Sequence, residues 1–276
     1  MPIASYFRVY ESLQAATPAL AGFLKSGLNP TPLGWSEAIF LFAVSSQQLF
    51  LYAYNDDCDF ERDRLNPRKR SSAVRSRGTM KTLTAALFLL SSVLISLLPA
   101  RAAALAWGTQ ALGIAYSHPR ISLRTRIPSA QIVHFAVGAA YFSIGRMAAG
   151  GSWGRGDIAA SAYFGLLYMS GGLNNEILDL ESDRGSGMKS LALALGPAHA
   201  LRWAAAAQIL AILILAAAWG GRGGPIASAL GLIAYGASIR RCIVPVFSAA
   251  NAEGFRTRYR LLFGAMTAAL CVSWTR

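Results

Sequence analysis

Charge is scarce in this chain, and acid is scarcer than base. Only 14% of its 276 residues are charged, where a soluble domain carries about 25%. With 54% hydrophobic residues and a mean hydropathy of +0.39, that deficit excludes an ordinary soluble globule and favours a polytopic membrane protein. Cysteine and histidine are nearly missing. Cys58, Cys242 and Cys271 are scattered, as are His118, His134 and His199, which leaves neither a disulfide framework nor a zinc site. No stretch alternates polar and apolar residues with period two, so a membrane barrel is excluded. Met1 to Gln14 holds Arg8 and Glu11 but no apolar core of the length a signal peptide needs.

What is present is apolar and helical. Nine stretches can be drawn, at 13–28, 34–54, 82–99, 102–117, 129–149, 157–174, 200–219, 224–239 and 258–275. They predict an all-α integral membrane protein, read as one domain over 1–276, because no linker or low-complexity segment divides the chain. The net charge of +13 would suggest a nucleic-acid partner in a soluble protein. Here base follows topology instead. With the N-terminus inside, 20 of the 26 Lys and Arg fall on the inner side and 6 on the outer, the bias of the positive-inside rule. No nucleic-acid partner is expected. The cytoplasmic membrane of a bacterium is the expected location, with bilayer lipid as the surrounding partner.

Nine of the 13 carboxylates occupy two short windows, NDDCDFERD from Asn55 and NEILDLESD from Asn175. Each contains Asn, Asp and Asp at steps of four: Asn55/Asp59/Asp63 and Asn175/Asp179/Asp183. At about 100° per residue, such steps drift by about 40°, so each trio lines one stripe of a helix. Carboxylates at membrane depth cost roughly 2.5–3.5 kcal/mol each, which argues for a function. The windows close the second and sixth stretches, both on the inner face, in the manner of a distant four-helix repeat.

Two carboxylate stripes suit hard divalent cations, Mg²⁺ above all, because Mg²⁺ shares a few carboxylates with phosphate oxygens. The loops supply complementary cations. Lys69, Arg70, Arg75 and Arg77 follow the first window, Arg120, Arg124 and Arg126 follow the fourth stretch, and Lys189 follows the second window. Acid, metal and base beside an apolar compartment fit an isoprenyl diphosphate, with its head at the polar rim and its tail among helices. Ionisation of the allylic C–O bond then leaves a cation for an acceptor to trap, or for internal cyclisation.

At this point the chain resembles the UbiA superfamily of intramembrane prenyltransferases. The resemblance rests on NxxxDxxxD ending the second span, on DLESDRGSGMKSLALALG after the sixth, and on AYSHPRISLRTRIP from Ala115 to Pro128. It implies nine transmembrane helices ringed around a central cavity, with a cytosolic cap over two Asp-rich motifs. It implies Asn55, Asp59 and Asp63 as metal ligands of the first motif, and Asp179 and Asp183 as those of the second. Asn175 or Glu176 would be the third member there. Asp59, Asp63, Asp179 and Asp183 would be the catalytic carboxylates. Tyr116, Arg120, Arg124 and Lys189 would contact diphosphate, with Lys69 and Arg70. The loop NPRKRSSAVRSRGTM keeps Lys69, Arg70 and Gly78 but lacks the Arg-Pro that many members carry.

The resemblance therefore implies a Mg²⁺-dependent prenyltransferase with an aromatic or lipid-like acceptor. A terpene cyclase on the same scaffold, with no acceptor, is the alternative. A cation transporter would need ionisable groups near the bilayer midplane, whereas these gather at one face. Asp56, Asp57, Glu61 and Glu181 point off the stripes and are expected to be solvated or supporting. Arg62 is expected to serve topology, and His118 structure.

Overall fold

Each of the nine apolar stretches overlaps a helix among the described residues. The computed structural model describes residues 9–26, 34–65, 76–219, 223–243 and 249–274. Among them there is no strand. The long helices are α1 (Val9–Leu24), α2 (Trp35–Cys58), α4 (Arg77–Ser96), α5 (Ala100–Ser117), α6 (Ser129–Ala148), α7 (Arg155–Leu178), α10 (Pro197–Trp219), α11 (Gly223–Ile243) and α12 (Ala249–Trp274). Between them lie the short α3 (Phe60–Leu65), α8 (Leu180–Gly185) and α9 (Leu191–Leu195).

Among the described residues, α4 and α10 are long and apolar enough to cross a bilayer by that criterion alone. Others carry polar residues within the helix, such as Ser45 to Gln48 in α2 and Ser170, Asn174 and Asn175 in α7. Large apolar side chains nevertheless face outward: Leu89 and Val93 on α4, Leu230 and Ile233 on α11, and Leu261 on α12. Such a surface suits lipid rather than water.

The chain divides into two compact units. One is Met1–Leu123 with Ser143–Gly151, the other Arg124–Phe142 with Ser152–Arg276. In the first, α2 packs against α1, α4 and α5. Phe23 stacks on Phe40 at 4.6 Å, and Phe50 meets Phe88 at 5.3 Å. Buried amides bridge the helices: Gln47 Nε2 donates to the Ala106 carbonyl at 2.7 Å, and Ser91 Oγ donates to Gln110 Oε1 at 3.3 Å.

In the second unit α7 runs along α10, which in turn packs on α11. Gln208 Nε2 donates to Ser170 Oγ at 2.6 Å, and Ser170 Oγ donates to the Ala204 carbonyl at 3.2 Å. Helices α6 and α7 approach through glycine. A Cβ at Gly138 would lie 2.6 Å from the Phe164 carbonyl oxygen, and one at Gly165 would lie 2.8 Å from that of Phe135. Small residues permit this closeness between helices in lipid, where apolar burial supplies little drive.

Candidate active site

The first window begins on the last turn of α2. Helix α2 is 24 residues long and ends at Cys58, with Asp59 as a half-in residue at φ −96°, ψ 5°. The chain then resumes as the six-residue α3. The Asp59 N–H donates to the Asn55 carbonyl at 3.0 Å, and the Asp63 N–H donates to the Asp59 carbonyl at 2.8 Å. Helical spacing therefore bridges the junction, and the predicted stripe exists as successive four-residue steps.

The second window repeats this build. Helix α7 is also 24 residues, its cap Asp179 lies at φ −96°, ψ 8°, and the six-residue α8 follows. The Asp179 N–H donates to the Asn175 carbonyl at 2.9 Å, and the Asp183 N–H donates to the Asp179 carbonyl at 2.9 Å.

Side chains around the first window form a chain of contacts. Ser117 Oγ, at the end of α5, donates to Asn55 Oδ1 at 3.0 Å. Asn55 Nδ2 donates to Asp59 Oδ2 at 3.3 Å, and the same oxygen receives Arg62 Nη2 at 2.6 Å. Asp56, Asp59 and Asp63 are only 4%, 2% and 2% exposed. Buried carboxylates are costly unless charge or hydrogen bonds compensate them. Arg62 does so for Asp59, beyond the topological role expected of it. Asp56 is buried rather than solvent-facing. Asp57 is half-buried with Oδ1 unpartnered, while Glu61 is exposed and pairs with Arg77 at 3.1 Å.

The remaining expected site residues are placed as follows. Tyr116 is half-buried in the last turn of α5, and Arg120 is exposed beyond it. The Arg120 N–H donates to His118 Nδ1 at 3.2 Å. In the second unit Arg124 is half-buried, Asn175 exposed, Asp179 half-buried, Asp183 buried, and Glu181 and Lys189 exposed. Lys69 and Arg70 lie outside the described residues.

Glu176 sits past the apolar stretch that ends at 174. Its Oε1 accepts from Gln131 Nε2 at 2.7 Å and its Oε2 from the Ala192 N–H at 3.2 Å. Burial pushes its carboxyl up to about 7, while the Ala192 and Leu191 amides pull it down.

Ser117, Arg62 and Gln131 did not stand out as site residues from sequence. Arg62 had a signal, because it lies three residues after Asp59 and that spacing brings helical side chains together. Ser117 sits beside Tyr116 in a stretch already singled out. Gln131 had none.

The donors present are carboxylate and amide oxygens, the hard ligands that Mg²⁺ takes. Among the described residues, no three His, Cys, Asp or Glu side chains converge to hold an ion by themselves.

A sequence model of the UbiA prenyltransferase family matches residues 15–263. No curated protein matches the chain. Solved structures share its fold. A UbiA homolog from Archaeoglobus fulgidus bound to DMAPP and Mg²⁺ is 19% identical, with a TM-score of 0.72 over 98% of each chain. A digeranylgeranylglyceryl phosphate synthase is 18% identical, with a TM-score of 0.69 over 99% of this chain and 97% of that one. An apo UbiA homolog from Aeropyrum pernix K1 is 20% identical, with a TM-score of 0.68 over 95% and 98%.

Proposed function

This chain belongs to the UbiA prenyltransferase family, and we propose that it is a Mg²⁺-dependent intramembrane prenyltransferase. Its donor is an allylic isoprenyl diphosphate and its acceptor an aromatic or lipid-like molecule. The observation that carries this reading is the repeated window: a 24-residue helix, a capping Asp, a six-residue helix, and Asn, Asp and Asp in four-residue steps. The Archaeoglobus homolog bound to DMAPP and Mg²⁺, together with one bound to GPP and Mg²⁺, adds support for this donor class.

In this reading Asn55, Asp59, Asp63, Asp179 and Asp183 hold the metal, with Asn175 or Glu176 completing the second set. Bound Mg²⁺ supplies positive charge to the departing diphosphate. Asp59, Asp63, Asp179 and Asp183 are the carboxylates on which ionisation depends. Lys69, Arg70, Tyr116, Arg120, Arg124 and Lys189 bind and orient the diphosphate oxygens, the cationic ones taking up charge as the allylic C–O bond breaks. The bonding electron pair leaves with the diphosphate. The π electrons of an aromatic acceptor, or an oxygen lone pair of a lipid-like one, attack the allylic cation, and the acceptor loses a proton from the attacking carbon or oxygen.

The finer architecture proposed is that of the family: one polytopic domain over 1–276, with nine spans around a central cavity and a cytosolic cap. The proposed location is the bacterial cytoplasmic membrane, with the N-terminus and both windows on the cytoplasmic side. The 20-to-6 distribution of base supports that orientation.

The test is a panel of allylic diphosphates given to purified protein with and without phenolic acceptors. Diphosphate release with an alkylated acceptor is the expected outcome. The loop that lacks Arg-Pro favours a second reading, a terpene cyclase. A hydrocarbon or terpene alcohol formed without acceptor would establish it in place of the transferase.

A further inference from the structure

Lys189 is strung between two anchors, and both belong to the second acidic window. Upstream, the Met188 N–H donates to the Asp183 carbonyl at 3.0 Å, and Ser186 Oγ donates to the same oxygen at 3.1 Å. Downstream, the Ala192 N–H donates to Glu176 Oε2 at 3.2 Å. Ser190, next to Lys189, is buried and accepts from the Leu193 N–H at 3.3 Å. Lys189 itself is exposed. The backbone on either side of this lysine is therefore held, while its ammonium stays free to reach outward.

The downstream anchor has its own support. Gln131, 6% exposed on the first turn of α6, donates Nε2 to Glu176 Oε1 at 2.7 Å. Its Oε1 is buried and has no hydrogen-bond partner. The amide is thus oriented by Glu176 alone, and one carboxylate ties α6, α7 and α9 together within the second unit. Glu176 also lies about 100° around the helix from Asn175, which shares the stripe of Asp179 and Asp183.

From this geometry we infer that Glu176 is a positioning residue that staples the segment carrying Lys189 to α7. Glu176 acts through backbone amides and touches neither metal nor diphosphate. The inference rests on the proposed role of Lys189 as a diphosphate contact.

Two substitutions separate the staple from a ligand. Glu176→Gln keeps an acceptor for the Ala192 N–H, and its new donor meets Gln131 Oε1 once that amide turns over. It removes the negative charge that a carboxylate ligand would bring to the metal, and so weakens Mg²⁺ binding if Glu176 is a ligand. Glu176→Ala removes the staple altogether. In the purified full-length protein, amide exchange of the peptide 186–195, measured without substrate or metal, is expected to rise about tenfold or more in Glu176→Ala, as for loss of a charge-assisted bond. It is expected to stay near wild type in Glu176→Gln.

In turnover, Glu176→Ala is expected to raise KM for the diphosphate about tenfold with little change in kcat. In a Lys189→Gln background the same change is expected to add nothing. The Mg²⁺ concentration for half-activation, at saturating diphosphate, is expected to be unchanged in Glu176→Gln. A tenfold rise in that Mg²⁺ requirement, or equal exchange in all three proteins, overturns the inference. If wild type releases no diphosphate from any allylic substrate, the proposed function fails, and the exchange data still decide whether the staple exists.

Discussion

Asp59 and Asp179 cap their helices with the same backbone conformation, φ −96° in both and ψ of 5° and 8°. Each follows a 24-residue helix, precedes a six-residue one, and accepts the N–H of an Asp four residues on. The backbone leaves helical geometry at the middle residue of each trio and resumes it one residue later, while the four-residue hydrogen bonds continue across the junction.

Replacing either of these residues removes a donor from the middle of its window. Asp59→Ala and Asp179→Ala are each expected to lower diphosphate release by at least about 100-fold, the scale of losing one charge-stabilising group at a reacting centre. Expression and melting temperature in detergent should stay close to wild type. Full turnover in either variant would remove the basis for the proposed function.

Chelation should abolish turnover, and Mg²⁺ should restore it. Metal plus a non-hydrolysable prenyl diphosphate should also raise the melting temperature, because a ligand at 100 times its Kd stabilises by about 2.7 kcal/mol. A chelated protein that turns over normally would contradict the assignment of both windows.

Ser117 supports Asn55 from another helix, with its Oγ donating to Asn55 Oδ1 at 3.0 Å. Outer-shell partners of metal ligands typically contribute about 10–100-fold in affinity or activity. Ser117→Ala is expected to raise the Mg²⁺ requirement by about tenfold, and Ser117→Thr to restore most of it. Mg²⁺ titrations of diphosphate release would measure both.

Arg62 neutralises Asp59 at 2.6 Å. Where metal is absent, losing the guanidinium leaves a buried carboxylate with less compensation. Arg62→Gln should therefore lower the melting temperature more in chelator than in Mg²⁺ with diphosphate. Equal losses in both conditions would show that Arg62 serves topology alone.

Gly165 lets α6 approach α7, since a Cβ there would stand 2.8 Å from the Phe135 carbonyl oxygen. Gly165→Val should cost roughly 1–3 kcal/mol in stability, the scale of overpacking. Gly236 on α11 has nothing within 4 Å of its would-be Cβ, so Gly236→Ala should be neutral or mildly stabilising. Thermal melts of the two variants would check the contrast.

Much of this protein is local, and local features can be read along a chain. Apolar runs long enough for helices became α1, α2, α4 to α7 and α10 to α12. The four-residue steps of Asn55, Asp59 and Asp63 became carbonyl-to-amide steps of one helical turn. Helical geometry depends on neighbours within about four residues, so spacing was enough to place each stripe. Arg62, three residues past Asp59, lay within the same reach.

Contacts over longer separations were settled only by the folded chain. Ser117 reaches Asn55 across 62 positions, and Gln131 reaches Glu176 across 45. Nothing in a linear pattern couples such residues, because packing of whole helices decides which faces meet. The burial of Asp56 beside Asp59, and the tie from Glu176 to the Ala192 amide, have the same origin. Sequence alone determined which residues share a turn and which runs prefer lipid. Tertiary packing decided which of those polar groups are held, by what partner, and at what depth.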